Sequence, residues 1–476
     1  MLIALDRFRW VYCQLDTLCR SFPPSIRKVL NELPITLDET YERTLQGIPR
    51  EKKDHSRRLF QCLVAAARPL RVEELAEIFT IEFDATPNMV EGWRPESPEE
   101  AVLSACSTLV AIVDDMGARI VQFSHFSVKE FLTSDRLRIS DIGNISHYYV
   151  PLEPAHATLA RACLTVRLQL DETVDKERLA TFPMVFYSAQ HWVKHAKFEN
   201  VTLQIQDFME RLFDPTRSHF AAWTRIYDID RSMVQPIYDL AVHPAPLTRT
   251  PLYYAALYGF SGLAIHLVTV HAEDVNANCG LGSPLHAASY EGHLDIARFL
   301  LDLGADPNAT NESMRRTPLC AAYDGGHPEV MRLLLERGAV ADVWHSDDER
   351  LLHHASYSGN LEVTRLLLQY NADVNIRDAN SCTPLHLATL WEHQLPQTVK
   401  ILLEYQAEVN AQTGYGNTPL FLASWCGNLE NVKVLLEHGA DVHIRGERNW
   451  TPFQAATENG HDEVARLLLE HGSEGE

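Results

Sequence analysis

Positive charge is scarce in this chain of 476 residues. It holds 42 Lys and Arg against 64 Asp and Glu, which gives a formal net charge of −22. The deficit is uneven, because residues 1–240 carry 28 basic and 34 acidic residues (−6) whereas residues 241–476 carry 14 and 30 (−16). A carboxy-terminal half this acidic repels phosphate backbones and anionic lipid surfaces. We therefore expect neither nucleic acid nor a membrane as a partner.

Three further absences narrow the class of protein. No apolar run approaches the roughly 20 residues of a membrane-spanning helix. The nine cysteines are odd in number, widely scattered and without a Cys-x-x-Cys pair, which favours free thiols in a reducing, cytoplasmic compartment. The start, Met1–Arg7, meets charge too early for a signal peptide. The sequence also lacks Gly-x-x-x-x-Gly-Lys-[Ser/Thr] and any Gly-Lys dipeptide, so it has no loop of the kind that cradles nucleotide phosphates.

What the sequence does contain is a repeat. The motif Thr-Pro-Leu-His-x-Ala, counted with its variants, occurs seven times, with successive steps of 33, 34, 33, 33, 35 and 33 residues. The residues in the proline slot are Pro251, Pro284, Pro318, Leu351, Pro384, Pro419 and Pro452.

Each copy predicts a pair of short helices. In the second copy Pro284 opens a first helix, where the missing N–H of proline is no loss. Gly292-His293 makes a turn, residues 294–301 form a second helix, and Gly304 ends it in the left-handed conformation. No copy can bury its apolar face alone, so the copies must stack in a line.

This period and wording resemble the ankyrin repeat over roughly half of the chain. The resemblance implies a mainly α fold, an ankyrin-repeat α-solenoid with β-hairpin tips and a concave groove that binds a protein partner. Ankyrin repeats are not catalytic, so we expect no enzyme, no cofactor, no metal and no small-molecule ligand.

Aromatic residues recur near the end of the first helix of the repeats, on the side expected to face the groove. Tyr and Trp are enriched at binding hot spots. They also brace neighbouring repeats, and the sequence leaves both interpretations open. The predicted partner-binding residues are Tyr258, Tyr290, Tyr323, Tyr357, Trp391 and Trp425.

Two copies depart from the pattern. The fourth reads Arg350-Leu351-Leu352-His353-His354-Ala355 and so loses Thr and Pro, and the fifth carries two extra residues after Trp391. Drift in a tolerant loop explains both departures. The alternative is a local bend or a binding bulge.

The amino-terminal half predicts helices followed by a hairpin. Apolar residues at spacings of three and four indicate helices within 9–48, then at 57–65, 72–79 and 103–109. Residues 109–113 and 119–123 read as two strands joined by a turn at 114–117. Three helices closed by a hairpin form a winged-helix arrangement.

A second resemblance rests on four stretches in the first 140 residues. They are 9–16, the Leu33-Pro34-x-x-Leu37 step, 68–75 and 123–132, and together they resemble the segments behind the nucleotide-binding core of fungal NACHT–ankyrin proteins, receptor-like members of the STAND class of signalling ATPases. The implied organisation is 1–48 as a helical segment like the end of a NACHT module, 49–145 as a winged-helix-like domain, 146–240 as a helical connector and 241–476 as seven ankyrin repeats.

Two histidine motifs are candidates for binding a nucleotide phosphate or a zinc ion. By the NACHT resemblance, His125 of Phe-Ser-His-Phe-Ser would reach a nucleotide phosphate if a NACHT core were present. Without that core, we expect it to bond within its own domain. His191 and His195 lie one helical turn apart, a spacing that zinc can use, but a solvated helix face explains them better.

Three functions follow as hypotheses. The first is a non-enzymatic protein-interaction scaffold or sensor arm of a NACHT-type receptor. The second is a nucleotide-dependent switch whose phosphate-binding loop lies upstream of this chain. The third is a DNA-binding winged helix, which the three glutamates and the absence of lysine in 72–79 disfavour.

Because the phosphate-binding loop is missing, we predict that the purified chain neither binds nor hydrolyses ATP. Titration calorimetry with MgATP should give no specific heat. Micromolar binding by this chain would contradict the prediction.

Overall fold

The chain folds as two compact units, residues 1–247 and 248–476, in a computed structural model. The structure describes residues 36–83, 88–89, 95–106, 108–115, 117–142, 144–171, 173, 175–226, 250–278, 282–311, 315–346, 349–390 and 395–472. The helices predicted before residue 36 lie outside these ranges.

The first unit is mainly helical with a small sheet. Its helices are α1 (Leu37–Gln46), α2 (Lys53–Ala65), α3 (Val72–Ile78), α4 (Pro98–Cys106), α5 (Phe126–Leu132), α6 (Asp135–Arg138), α7 (Leu152–Arg167), α8 (Lys176–Ala180), α9 (Val185–Ala196), α10 (Val201–Gln204), α11 (Gln206–Phe213) and α12 (His219–Ile226), with 3₁₀ turns at Arg50–Lys52 and Ile145–Tyr148. Its strands are β1 (Leu70–Arg71), β2 (Ile81–Glu82), β3 (Asn88–Met89), β4 (Val110–Asp115) and β5 (Ala118–Phe123).

The predicted hairpin is present and slightly longer than expected. Strands β4 and β5 pair antiparallel from Val110 opposite Phe123 to Asp115 opposite Ala118. Strand β1 adds to the other edge of β5, which gives the sheet order β1-β5-β4. Helices α3 and α4 pack against each other, and α4 also packs against α2. Three helices and a hairpin are thus arranged as a winged helix.

The third helix of this domain was predicted a few residues too late. It spans Pro98–Cys106 rather than 103–109. Pro98 is favourable in a first turn, where its missing N–H is not needed, and Glu99 and Glu100 there suit the positive end of the helix dipole. The apolar residues after Cys106 lead into β4 instead, because β-branched Val110, Ile112 and Val113 pair across the hairpin.

Helix α1 is tied to the winged helix by side chains. The Tyr41 and Ser127 hydroxyls lie 2.8 Å apart, and Arg136 donates to Glu42 at 2.9 Å. Further along, α7 packs along both α2 and α9, and the core near α9 is built from Trp192, Phe213 and Trp223. The stretch assigned as a connector is therefore helical and packed up to residue 226.

The second unit consists of two rows of helices, as the repeats predict. The first helices of the seven copies are α13 (Pro251–Tyr258), α15 (Pro284–Tyr290), α17 (Pro318–Gly325), α19 (Leu351–Tyr357), α21 (Pro384–Thr389), α23 (Pro419–Trp425) and α25 (Pro452–Glu458). The second helices are α14 (Ser261–His271), α16 (Leu294–Asp302), α18 (Pro328–Glu336), α20 (Leu361–Gln369), α22 (Pro396–Glu404), α24 (Leu429–Glu437) and α26 (Asp462–Glu470).

Each row stacks on its own kind, first helix on first helix and second helix on second helix. Gly304 ends α16 with φ 87°, as predicted. The tips between repeats are closed by main-chain hydrogen bonds such as Thr413 N to Asn417 O at 2.9 Å. Among the described residues of the tips, Trp344 and Arg350 form a β-bridge. The mainly α ankyrin solenoid expected from the sequence is confirmed.

A buried histidine occupies the fourth position of the Thr-Pro-Leu-His-x-Ala motif, and its contacts explain why histidine recurs there. His386 Nδ1 accepts from the N–H of Thr383 at 3.0 Å and from its hydroxyl at 2.8 Å. Its Nε2 donates to the carbonyls of Ala411 and Asn417 in the next tip, at 3.0 and 3.1 Å. His286 makes the same contacts with Ser283 and Arg316. One neutral imidazole therefore caps its own helix and fastens the following repeat.

This arrangement requires the uncharged ring, since a proton on Nδ1 would abolish the two bonds that it accepts. Burial lowers the pKa of His386 to about 4. It outweighs the hydrogen bonds to the carbonyls of Asn417 and Ala411, which raise the pKa. Unfolded histidine titrates near pH 6.5. Between these values the unfolded chain binds a proton that the folded chain refuses, so the stability from this site is complete above about pH 6.5 and is lost as the pH falls toward 4.

We predict that His386→Gln weakens this pH dependence. The chain already uses Gln454 at the equivalent place in the last repeat, where its oxygen accepts from Thr451 N at 3.0 Å. The drop in unfolding free energy between pH 7.5 and pH 4.5 should shrink by up to about 3 kcal/mol. Urea titrations followed by circular dichroism measure it. Substitution of the exposed His443 by Gln is the matched control, and equal effects of both changes would contradict the prediction.

Candidate protein-binding surface

The predicted aromatic residues lie where the repeat pattern places them, at the ends of first helices, but they differ in exposure. Tyr290 is 52% exposed and Tyr357 is 40% exposed. Tyr258, Tyr323 and Trp425 are half-buried. Trp391 lies outside the described residues. The exposed pair can offer a face to a partner without rearrangement.

Two of the half-buried rings pack within the stack of repeats. Tyr258 contacts the rings of Tyr254 and Phe260, with centroids 6.2 and 5.9 Å away. Trp425 stacks on Phe421 at 6.2 Å and on Trp450 of the next tip at 5.9 Å. These contacts make Tyr258 and Trp425 part of the packing between or within repeats.

Arg448 covers the same tryptophan pair. Its guanidinium carbon lies 5.7 Å from the Trp425 ring centre and 5.2 Å from that of Trp450. Such cation–π contacts contribute about 0.5–1 kcal/mol at exposed sites. Arg448 and Asn449 both have positive φ, 59° and 60°, so the tip holds two residues in a conformation that glycine prefers.

Tyr323 is engaged in a polar cluster. Its hydroxyl lies 2.9 Å from His354 Nδ1 and 3.1 Å from the Ser358 hydroxyl. His345 Nε2 donates to Asp324 at 2.9 Å, and Arg316 also pairs with Asp324. The two imidazoles are 4.3 Å apart. Tyr323 therefore has partners inside the protein, as Tyr258 and Trp425 do.

Two further exposed aromatic residues lie at the tips, whose varied side chains on a regular frame suit protein recognition. Trp344 is 47% exposed, and the Arg350 guanidinium lies 3.7 Å from its ring centre. Arg350 also donates to the carbonyl of Asp342 at 2.8 Å. Tyr415 is 71% exposed. A bulky ring at a position that usually holds a turn residue is the pattern that identifies both.

Charge is divided between the two helix rows. The described first helices, their turns and the tips carry equal numbers of arginines and carboxylates. The six arginines are 315, 316, 350, 377, 445 and 448, and the six carboxylates are 291, 324, 349, 378, 447 and 458. The remaining described residues of the solenoid hold 7 basic and 18 acidic residues, a difference of −11. The acidic excess of the described solenoid thus belongs to the second helices and the segments after them.

His125 bonds within its own domain. It precedes α5, and its Nδ1 accepts from the N–H of Ser127 at 3.3 Å and lies 2.6 Å from the Ser127 hydroxyl.

Helix α3 of the winged-helix domain, whose acidity argues against DNA binding, is acidic for a structural reason as well. Glu74 is buried and binds Arg68 through two hydrogen bonds of 2.8 and 2.6 Å.

The solvated helix face predicted for His191 and His195 is wrong for His195, which is fully buried. Its Nε2 lies 2.9 Å from the Tyr187 hydroxyl and its Nδ1 lies 2.9 Å from His156 Nδ1. Burial, with the nearby charge of His156, lowers the pKa of His195 to about 3. Side chains of α7 and α9 contact it, and a helical spacing does not reveal that.

The described residues contain no candidate for a metal site or for a membrane-spanning helix. No group of three or more His, Cys, Asp or Glu there is arranged to hold a metal ion. None of the described helices combines the length and the apolar character that crossing a bilayer requires.

Comparison with known families agrees with this geometry. The family model "Ankyrin repeats (3 copies)" matches residues 219–311, 310–378, 352–446 and 415–476, more than half of the chain. The chain belongs to the ankyrin-repeat family. A second family model, "GPI inositol-deacylase, winged helix domain", matches residues 41–143. The amino-terminal part therefore contains a winged-helix domain.

Individual relatives share parts of the chain. Azaphilone pigments biosynthesis cluster protein L of Monascus ruber is 31% identical over 293 residues, 58% of this chain and 61% of that protein. Ankyrin repeat and SOCS box protein 3 of Bos taurus is 51% identical over 105 residues, 22% of this chain and 20% of its own length. The chain thus spans about three fifths of the first relative and a fifth of the second. The crystal structure of the human ASB11 ankyrin repeat domain aligns at 29% identity with TM-score 0.41, over 48% of this chain and 100% of that one.

The two kinds of aromatic residue should respond differently to truncation. Tyr290 and Trp425 occupy the same place, six residues after the proline slot, yet one is exposed and the other is stacked. We predict that Trp425→Ala lowers the unfolding free energy by about 2 kcal/mol and that Tyr290→Ala changes it by less than about 0.5 kcal/mol. Urea denaturation of both variants measures this, and equal losses would show that Tyr290 also braces the stack.

Proposed function

We propose that the chain is a non-enzymatic interaction arm whose first helices and tips bind a protein partner. The ankyrin fold is typically an interaction scaffold, and the aromatic residues supply contact area on it. The observation that carries the proposal is the exposure of Tyr290, Trp344 and Tyr357 on neighbouring repeats. Large rings combine apolar area with a polar edge, and they are enriched among hot spots.

The surrounding charge supports a partner of mixed polarity at the contact face. Six described arginines and six described carboxylates lie on the first helices, turns and tips, and the sequence adds Glu312, Asp347, Asp348 and Glu392 between those segments, so both signs of charge are present there. The strongly acidic second helices add a long-range field. That field speeds the approach of a basic partner, and added salt screens it.

We also propose that the arm belongs to a NACHT-type signalling receptor of the cytoplasm, as part of one or derived from one. A winged-helix domain followed by ankyrin repeats is the order that this class of receptor uses. The six cysteines among the described residues are free thiols, which supports a reducing compartment. A nucleotide-dependent switch would require a phosphate-binding loop from outside this sequence.

The proposal is tested with the full chain. A partner captured from cell extract is identified and produced, and its affinity for the unaltered chain is measured by titration calorimetry. Tyr290→Ala, Trp344→Ala and Tyr357→Ala should each weaken binding by about 2 kcal/mol or more, roughly thirtyfold, while leaving the melting temperature nearly unchanged.

Leu303→Ala is the matched control, because Leu303 is 46% exposed but follows a second helix. It should leave the affinity unchanged. If all four variants bind equally well, the aromatic residues are not the contact surface. If the three aromatic variants lose stability and keep their affinity, they brace the repeats instead.

A further inference from the structure

The junction between repeats 3 and 4 differs from the other junctions of the solenoid. The first helices α13, α15 and α17 pack in succession, and so do α19, α21, α23 and α25. Between α17 and α19 the main chains approach each other less closely than at any other junction of this row. The first helices of this row are therefore most widely spaced at this junction.

The same junction has lost a hydrogen bond outside the helices. At the preceding junction Asn308 accepts from Val340 N at 2.8 Å and donates to Gly338 O at 3.0 Å. At the junction between repeats 3 and 4 the corresponding residue is Asp342, which accepts from Asp373 N at 3.0 Å. An ionised carboxylate has no hydrogen to donate, so the second bond of this ladder cannot form.

Polar side chains from both repeats meet at this junction. Tyr323 and Asp324 come from α17, His345 from the tip, and His354 and Ser358 from α19 and its end. The Tyr323 ring stands edge-on to both imidazoles, with centroids 5.5 Å from each. The layer between these repeats thus contains groups that can exchange protons.

The hydrogen bonds assign protons within this layer. Asp324 accepts from His345 Nε2, so the neutral His345 ring carries its hydrogen there and its lone pair on Nδ1. His345 is 8% exposed, and Nδ1 is buried without a hydrogen-bond partner among the described residues. A second proton on His345 would have no acceptor among the residues that the structure describes.

The His354 ring keeps a hydrogen-bond partner in either protonation state. Tyr323 donates to its Nδ1 when the ring is neutral and accepts from it when the ring is charged. In the charged state Tyr323 donates to Ser358 at 3.1 Å, and Ser358 donates to Ala355 O at 3.2 Å. The resulting charge lies 4.3 Å from the His345 ring and shares the layer with Arg316.

We propose that the junction between repeats 3 and 4 is a proton-dependent hinge, at which uptake of one proton by the His345–His354 pair loosens α19 from α17. Acid would then change the angle between the two halves of the solenoid. The exposed aromatic residues Tyr290, Trp344 and Tyr357 lie on both sides of this junction.

The charged groups around the pair favour this direction. Burial and the neighbouring His345 lower the pKa of His354, while Glu349 and Asp324 raise it and Arg316 lowers it. Burial raises the pKa of Asp324, but the His345 hydrogen bond and Arg316 outweigh it, so that the carboxylate stays ionised. Asp347 and Asp348 belong to the same tip and lie outside the described residues. Because the folded His354 resists a proton, the junction is most stable above about pH 6.5 and weakens as the pH falls below it.

Hydrogen exchange on the full chain tests the hinge. After correction for the intrinsic rates, opening of the amides of α17 should increase between pH 7.5 and pH 5.5 by up to about tenfold per pH unit beyond that of α23. Helix α19 is left out of this comparison because burial also lowers the pKa of its own His353. The double variant His345→Gln/His354→Gln should remove this excess, and the exposed-site control His443→Gln should retain it. A uniform response along the solenoid would overturn the hinge, and so would an excess that survives in the double variant.

A second measurement needs no variant in the cluster. Carbon-detected NMR of the unaltered chain should show one of the two rings taking up a proton between pH 7.5 and pH 5, with the other ring remaining neutral. If neither ring titrates in this range, or if both titrate independently, the proposal is wrong.

Discussion

The structure of the second unit depends on the fact that no repeat can bury its apolar face alone. Each pair of helices offers one face to the repeat before it and another to the repeat after it, so stability comes from contacts between neighbours. The buried imidazoles of His286 and His386 add direction to these contacts, because each ring accepts from its own helix and donates to the following tip. In repeat 3 a thiol makes the corresponding hydrogen bonds, since Cys320 Sγ accepts from the Thr317 hydroxyl and donates to the Trp344 carbonyl.

Most of this unit could be predicted from the sequence, because its contacts are periodic. In the second copy, residues at fixed offsets mark the helices. A proline marks the start of the first helix, a histidine marks the contact with the following repeat, and a glycine marks the end of the second helix. Irregular contacts could not be predicted in this way. Tyr323 looks like its aromatic counterparts in the sequence, yet it bonds to His354 from the next repeat and lies edge-on to His345 of the intervening tip. Which aromatic side chains remain exposed is decided by such neighbours, and periodicity contains no information about them.

The first unit shows the same limit in a different form. Its hairpin was predicted because β-branched residues flank a clear turn, and the structure pairs them as expected. The burial of His195 was not predicted, since its helix carries charged residues nearby and two histidines at a spacing that suits solvent or metal. Its place is set by Tyr187 on its own helix and by His156 on α7. A helical pattern identifies a face, but it does not identify the element that covers that face.

The distribution of charge connects the two rows of the solenoid with recognition. The net charge of the chain invites the view that its groove is acidic, but the described acidic excess lies mainly on the second helices. Several arginines of the other row are already occupied: Arg350 and Arg377 donate to main-chain carbonyls at the tips, and Arg316 pairs with Asp324. These arginines hold the tips in shape. Under the proposed function, the exposed rings supply specificity through their shape and placement, while the acidic row influences how fast a partner arrives.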